Sequence, residues 1–337
     1  MFKEGTNLKI LVTGGAGYIG NVLIGQLLKK GYEVVCLDRL IFGDKGIKKY
    51  IGTKGFRLIV DDTRTFDSEA LHEVDVVVEL AAISQPDPSG LLNKELFHRM
   101  NYEGSLRVAT LSKKHGVRRV VFASTCSVYG FQEGLISEES QPNPLEEYAK
   151  TKLMVEKKLK SLCSNQFCVT ILRFATVYGL SDKIRFDLVV NGMTLALYKM
   201  GMIKVMRPGT QVRPVVHVMD VARAIMTVIE AEEEKVRGET FNVGSNEQNY
   251  QIHDLAELIG NSIGKPYKIE WYGEPDIRSY RVNFTKIRKQ LGFKTLYTPA
   301  EGAREIYEAL ESGQIAETPE TNVIRWWKLL QEQGKVS

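Results

Sequence analysis

The chain is 337 residues long, 43% of its residues are hydrophobic, and its formal net charge at pH 7 is +4. Such a length buries a large core, and so modest a charge is not that of a nucleic-acid-binding protein. No apolar run approaches the roughly 20 residues that span a bilayer, and residues 1–8 hold no apolar signal-peptide core. We therefore expect a cytoplasmic protein with neither a nucleic-acid nor a membrane partner. The cysteines lack metal-ligand spacing and are expected to stay reduced, with no metal site; they are Cys36, Cys126, Cys163 and Cys168.

The first predicted elements are a buried strand over residues 9–12, a glycine-rich turn, and a helix over residues 21–30. The turn contains Gly14, Gly17 and Gly20. Glycine adopts backbone conformations that are closed to other residues and lets a pyrophosphate approach the positive N-terminus of the helix. This order of strand, turn and helix is typical of dinucleotide-binding proteins.

A second strand, predicted over residues 32–37, ends at Asp38. A carboxylate at this place accepts hydrogen bonds from the adenosine ribose and repels a 2′-phosphate, which favours NAD over NADP. The next residue, Arg39, would suit such a phosphate, so NADP stays an alternative. Asp62, after the third strand, is interpreted either as an acceptor for the adenine amino group or as an ordinary loop acid or helix cap.

Further strands are predicted over residues 56–60, 74–80, 117–123 and 168–174, with helices between most of them. This alternation predicts an α/β fold with a doubly wound parallel sheet of the Rossmann type. Residues 1–180 and 215–242 are assigned to an NAD-binding domain. Residues 181–214 and 245–337 are assigned to a smaller mixed α/β region that binds the substrate.

Three side chains, Thr125, Tyr148 and Lys152, form the predicted catalytic group. A Tyr and a Lys four residues apart lie on one face of a helix, so in a cofactor cleft the ammonium lies beside the phenol and lowers its pKa, and the oxidised nicotinamide adds positive charge nearby. A phenolate then takes a proton from a substrate hydroxyl while hydride leaves for the nicotinamide. Thr125, at the end of the fifth strand, is placed to hold the same hydroxyl.

Several motifs follow the glycine turn in a fixed order: Leu80-Ala81-Ala82, Asn101-Tyr102-Glu103-Gly104, Ser124-Thr125-Cys126-Ser127-Val128-Tyr129-Gly130, Tyr148-Ala149-Lys150-Thr151-Lys152, and residues 172–179, 212–222 and 241–244. With these motifs the chain resembles the extended short-chain dehydrogenases/reductases, in the NAD-dependent epimerase/dehydratase family that acts on nucleotide sugars. The resemblance extends to about residue 310.

The resemblance implies NAD as the cofactor and a nucleotide-diphosphate sugar as the substrate. It implies a homodimer that pairs two long helices, predicted over residues 91–115 and 148–162. An arginine suits the diphosphate because its planar fork meets phosphate oxygens bidentately. The implied substrate contacts are Ser124, Asn191, Arg213 and Arg278. The implied cofactor contacts are Gly14, Gly17, Tyr18, Ile19, Gly20, Asp38, Asp62, Thr63, Leu80, Ala81, Ala82, Asn101, Tyr148 and Lys152.

One departure from the family pattern narrows the reaction. Sugar 4,6-dehydratases typically place Asp and Glu after the catalytic Thr, where this chain has Cys126 and Ser127. Dehydration is therefore disfavoured, and Cys126 is interpreted as a packed thiol. The predicted function is a nucleotide-sugar epimerase that oxidises its substrate transiently at C4. The alternatives are a C4 dehydrogenase, a 4-keto-sugar reductase and, more remotely, a non-catalytic NAD-binding regulator.

Overall fold

The computed structural model describes residues 8–84, 94–274 and 279–336. Its central sheet is built from seven parallel strands: β1 (Lys9–Thr13), β2 (Glu33–Asp38), β3 (Phe56–Val60), β4 (Val76–Glu79), β5 (Arg119–Thr125), β7 (Cys168–Phe174) and β11 (Thr240–Val243). Their spatial order is β11-β7-β5-β4-β1-β2-β3. The strand order reverses between β1 and β4, so the ligand crevice of this doubly wound sheet opens beyond their carboxyl ends. The predicted fold class is confirmed.

Ten helices are found in the described residues: α1 (Gly20–Lys29), α2 (Lys94–Phe97), α3 (Gly104–Lys114), α4 (Glu147–Leu162), α5 (Val189–Met200), α6 (Val218–Glu230), α7 (Ile252–Ile263), α8 (Thr285–Leu291), α9 (Pro299–Glu311) and α10 (Val323–Glu332). Alternate residues of β1 point to opposite faces of the sheet. Ile10 packs in a core with α1 and α6, whereas Leu11 packs in a second core with α3 and α4. Burial on both faces explains why the strands are continuous apolar runs.

The fifth strand lies two residues later than predicted, at Arg119–Thr125 instead of residues 117–123. Ser124 and Thr125 are thus its last two residues. The helix predicted over residues 91–115 is interrupted, because a π-helical segment, His98–Glu103, joins α2 to α3. Such segments often occur at functional sites, and this one contains Asn101. The homodimer that was predicted to pair this helix with α4 stays a prediction.

The smaller region is built around short sheets. One contains β8 (Thr176–Tyr178), β10 (Val212–His217) and β12 (Asn249–Gln251); the others pair β9 (Met202–Met206) with β13 (Lys268–Tyr272) and β6 (Leu135–Ile136) with β14 (Arg281–Val282). Residues 215–242 were predicted to return a strand to the first domain. That strand is β11, whereas β10 belongs to the three-stranded sheet. Within the described part of the chain, no helix has the length and apolarity needed to cross a membrane.

Candidate active site

The glycine turn lies between β1 and α1, at the carboxyl edge of the sheet. Gly14 has a φ of +65°, and a Cβ there would lie 2.8 Å from the backbone of Ala81. A Cβ on Gly20 would lie 2.5 Å from the Gly14 carbonyl oxygen, which accepts the Gly17 N–H at 3.1 Å. Side chains are therefore excluded at positions 14 and 20, which keeps the turn narrow enough for a pyrophosphate to approach the start of α1.

The loop after β4 is fastened to this turn by backbone hydrogen bonds. The N–H of Leu80 donates to the carbonyl and the hydroxyl of Thr13, each at 3.2 Å, and the N–H of Ala81 donates to the same hydroxyl at 3.3 Å. The buried amide of Asn101 accepts from the Ile83 N–H at 2.8 Å and donates to the Ile83 carbonyl at 3.0 Å. The structure thus brings residues 80–82 and Asn101 to the edge where the glycine turn lies.

Asp38 links the end of β2 to the glycine turn. One carboxylate oxygen accepts the N–H of Ala16 at 3.0 Å, and the other accepts the N–H of Leu40 at 2.8 Å. Burial raises the pKa of Asp38, and these two hydrogen bonds act in the opposite direction. A carboxylate has about four acceptor sites, so Asp38 keeps acceptor capacity for a ribose.

Asp62 is held by two arginines. Nη2 of Arg64 lies 2.6 Å and Nε of Arg39 lies 3.2 Å from Oδ2 of Asp62. Burial raises the pKa of Asp62, but the hydrogen bonds from Arg64 and the charge of Arg39 prevail, so the pKa lies below its ordinary value. The adjacent Thr63 packs against Gly104, where a Cβ would lie 2.7 Å from the threonine Oγ1.

Thr125, Tyr148 and Lys152 converge from β5 and α4. The hydroxyl of Thr125 accepts the Ser127 N–H at 3.1 Å and also interacts with the Tyr148 phenol. Burial raises the pKa of Tyr148 to about 12, while the charge of Arg185 and the Thr125 hydroxyl act to lower it. In the cofactor-free protein the pKa of Tyr148 thus lies above its ordinary value, and its lowering by Lys152 in the cofactor-filled cleft stays a prediction.

The side chain of Lys152 is buried, at 2% exposed. Its ammonium donates to the Ala123 carbonyl at 2.8 Å and lies 4.6 Å from the centre of the Phe122 ring. Burial lowers the pKa of Lys152, and the charges of Glu79 and Glu156 act against that effect. The ammonium is thus engaged by the sheet and by buried carboxylates below the site.

The two carboxylates differ in how they are held. Glu156 binds Arg173 at 2.6 and 3.0 Å and accepts the Ser124 hydroxyl. Glu79, 2% exposed at the end of β4, has no hydrogen-bond partner for either carboxylate oxygen among the described residues. Burial raises the pKa of Glu79 to about 7, although the charge of Lys152 and the Ser105 hydroxyl lower it. Ser105 acts here without reaching hydrogen-bonding geometry.

Arg185 is a site residue that the sequence reasoning missed. Its guanidinium donates to the Ser84 hydroxyl at 2.6 Å and forms a two-point ion pair with Asp187 at 2.8 and 3.0 Å. Its charge acts to lower the pKa of Tyr148. The available signal was an arginine between the apolar Ile184 and Phe186, two residues before its ion-pair partner Asp187.

Two predicted substrate residues have their side chains engaged in the interior. Ser124 is 2% exposed, and its hydroxyl donates to Glu156. Asn191 is fully buried; its amide accepts from the Gly179 N–H and donates to the Tyr18 hydroxyl and the Arg185 carbonyl. Their geometry in this structure therefore does not support direct substrate contact by either side chain.

Arg213 lies in β10 with its guanidinium over the ring of Tyr280, at 5.4 Å, and one nitrogen donates to the Val212 carbonyl. Arg278 lies outside the described residues. Cys126 is buried and donates to the Arg173 carbonyl at 3.3 Å, as expected of a packed thiol, and burial raises its pKa.

The two residues that follow Gly17 contribute differently to the site. Tyr18 turns its side chain into the interior, where its hydroxyl donates to the Gly179 carbonyl at 2.7 Å. Burial raises the pKa of this phenol. Ile19 is the N-cap residue immediately before α1, and it packs on the adjacent core. In the described residues, no group of His, Cys, Asp and Glu side chains is arranged to hold a metal ion.

Comparisons with known proteins agree with this geometry. The profile of the NAD dependent epimerase/dehydratase family matches residues 10–244. The UDP-glucose 4-epimerase of Bacillus subtilis (strain 168) is 27% identical over 314 residues, which are 85% of this chain and 92% of that protein. MoeE5, solved in complex with UDP-glucuronic acid and NAD, matches with a TM-score of 0.80 at 28% identity, over 90% of this chain and 99% of its own.

A second solved structure, the UDP-glucuronic acid 4-epimerase from Bacillus cereus in complex with UDP-glucuronic acid and NAD, also has a TM-score of 0.80, at 26% identity over 90% of this chain and 99% of its own. The chain belongs to the NAD-dependent epimerase/dehydratase family. The predicted family and its NAD dependence are thereby confirmed.

Proposed function

We propose that this protein is an NAD-dependent epimerase that inverts the configuration at C4 of a UDP-sugar. The observation that carries the proposal is the convergence of Thr125, Tyr148 and Lys152 at the sheet edge that also holds the glycine turn and Asp38. The relatives named UDP-glucose and UDP-glucuronic acid 4-epimerases support a UDP-sugar as the substrate.

The residues at this edge fit NAD. Positions 14 and 20 exclude side chains from the turn, and Asp38 is fastened to the same turn. When bound, NAD accepts a hydride and returns it. The residues proposed to hold it are Gly14, Gly17, Tyr18, Ile19, Gly20, Asp38, Asp62, Thr63, Leu80, Ala81, Ala82, Asn101, Tyr148 and Lys152, with Tyr18 acting through its backbone because its phenol is engaged in the interior.

The protein side chains then move one proton. Thr125 holds the C4 hydroxyl of the sugar, and Tyr148 removes its proton as the ketone forms. The charges of Lys152 and Arg185 stabilise the phenolate. After the 4-keto sugar turns in the pocket and presents its opposite face for reduction, Tyr148 returns the proton to the C4 oxygen. Arg213 is proposed to bind the substrate diphosphate, with its planar fork facing the phosphate oxygens.

The test is incubation of the purified protein with UDP-glucose and with UDP-glucuronic acid, without added cofactor, followed by NMR of the sugar and absorbance of the nicotinamide. A C4-inverted product without accumulated NADH supports the epimerase. A keto sugar with stoichiometric NADH would identify a C4 dehydrogenase instead. Product that forms only when a 4-keto sugar and NADH are supplied would identify a reductase.

A further inference from the structure

A segment at the C-terminal end of the chain packs beside the cofactor residues. We call residues 318–336 the C-terminal cover; it consists of a helical turn, Pro319–Thr321, followed by α10 and a short tail. It follows the part of the chain over which the sequence resembles the family, which extends to about residue 310. Its start is attached to the residues that follow Arg185. The Phe186 N–H donates to the Thr321 carbonyl at 2.8 Å, and the Val323 N–H donates to the Asp187 carboxylate at 3.3 Å.

Helix α10 contacts the loops that carry the proposed cofactor residues. The indole N–H of Trp326 donates at 2.6 Å to the carbonyl of Ile41, three residues after Asp38. Trp327 is 1% exposed and packs with Ile83, which directly follows the Leu80-Ala81-Ala82 loop. The same apolar cluster includes Phe97 and Val323, and the partly buried Ile41, Phe42, Leu96, Met100, Tyr148 and Val336 pack against it.

A cationic pocket lies between the C-terminal cover and the adenosine end of the cleft. It is lined by Arg39, Arg64, Leu96, Arg99, Met100, Trp327, Lys335 and Val336. Asp62 pairs with two of its four cations, Arg39 and Arg64. Arg99 and Lys335 are exposed, and the described residues contain no ion-pair partner for either. The pocket therefore carries uncompensated positive charge suited to a phosphorylated ligand.

We propose that the C-terminal cover is a further binding surface for the adenosine half of NAD, closed over it by Trp327 and supplied with charge by Arg99 and Lys335. This inference rests on the proposed function, because an epimerase must return hydride from the same cofactor molecule that took it. A segment closed over the cofactor slows its release and keeps the pair together through the turnover.

The attachment of the C-terminal cover suits a segment that opens to admit the cofactor. A hydrogen bond from the Trp326 indole to the Ile41 carbonyl joins it to the first domain. The indole N–H of Trp327 has no acceptor within the described residues. Packing of one apolar helix face supplies most of the remaining attachment. Because release requires this face to separate from the loops, truncating Trp327 accelerates release of the cofactor more than it slows capture.

The experiment measures release of NADH from the whole protein by stopped-flow fluorescence, with excess NAD as the competitor and no sugar present. Trp327→Ala is expected to release NADH at least ~10-fold faster. The Arg99→Ala and Lys335→Ala double variant is expected to bind NADH several-fold more weakly than wild type at low salt. At high salt this difference from wild type is expected to shrink, because salt screens exposed charges. Lys328→Ala is the matched control, since Lys328 is an exposed lysine of α10 that does not line the pocket.

The double variant keeps the test decisive if Trp327→Ala does not fold. Unchanged NADH binding and release in the double variant would overturn the proposal. Tighter binding of NADP than NAD, lost in the double variant, would also overturn it and identify the pocket as a 2′-phosphate site. Because no sugar is present, these outcomes are independent of whether the protein is an epimerase.

Discussion

Replacement of Glu79 by Gln tests the buried charges below the catalytic group. Burial raises the pKa of Glu79 from 4.5 to about 7, a difference of about 2.5 that corresponds to about 3 kcal/mol. The folded protein holds this proton up to about pH 7, whereas the unfolded chain releases it near pH 4.5. Glu79 therefore lowers the free energy of unfolding as the pH rises between these values, and linkage gives a loss of about 2.5 kcal/mol between pH 5 and pH 8. Glu79→Gln keeps the shape and removes this loss.

The assay is urea unfolding of wild type and Glu79→Gln at several pH values from 5 to 8. We expect the free energy of unfolding of the variant to gain on that of wild type as the pH rises. In a Lys152→Met background the gain becomes larger, because the ammonium no longer favours the Glu79 carboxylate. Glu156→Gln is the matched control: it leaves the buried Arg173 without its carboxylate, so it destabilises by about 3 kcal/mol across this range. A pH-independent difference between wild type and Glu79→Gln would refute the reasoning.

Three further predictions concern the proposed chemistry. Tyr148→Phe should lower turnover at least roughly 100-fold while NAD still binds by calorimetry, since it removes only the acid/base group; near-normal turnover would remove Tyr148 from the mechanism. Asp38→Asn should weaken binding of NAD more than that of NADP in parallel titrations, because the carboxylate serves the ribose and repels a 2′-phosphate; equal losses would contradict the ribose assignment. Arg185→Gln should shift the acidic limb of the pH profile of turnover upward by about one pH unit, because a cation near Tyr148 lowers its pKa; Arg185→Lys, which keeps the charge, is the control, and identical profiles for both variants would count against the assignment.

The sheet and the cofactor turn were predictable because their signals are local. Runs such as Val76-Val77-Val78 are apolar without alternation, as strands buried on both faces must be. The glycines are required by the turn itself, where a Cβ at position 14 or 20 would collide with the backbone. The π-helical interruption at His98–Glu103 was not predictable, because the sequence around Asn101 keeps an ordinary helical pattern and the tertiary bonds to Ile83 fix its position.

The surroundings of each site residue were harder to predict, because they depend on contacts between distant parts of the chain. Asn191 matched a substrate position by motif, yet its amide connects the Tyr18 hydroxyl to the loop after β8. Arg185 approaches the catalytic group from the smaller region and donates to Ser84. It is far from both Ser84 and Tyr148 in sequence, so the periodicity of a helix or a strand does not predict these contacts. A motif therefore located the edge of the sheet at which the chemistry is proposed, whereas the protonation of its groups followed only from burial and long-range pairing.

These long-range contacts bear on when Tyr148 acts as the base that we propose. With its pKa raised to about 12, the phenol is protonated at neutral pH in the cofactor-free protein. Arg185 already lowers that pKa, and the ammonium of Lys152 is engaged with the Ala123 carbonyl. Further positive charge is needed before a phenolate forms near neutral pH, and oxidised NAD supplies it when bound. In the proposed mechanism, proton removal is thereby tied to the presence of the hydride acceptor, so a sugar that enters before the cofactor keeps its hydroxyl proton.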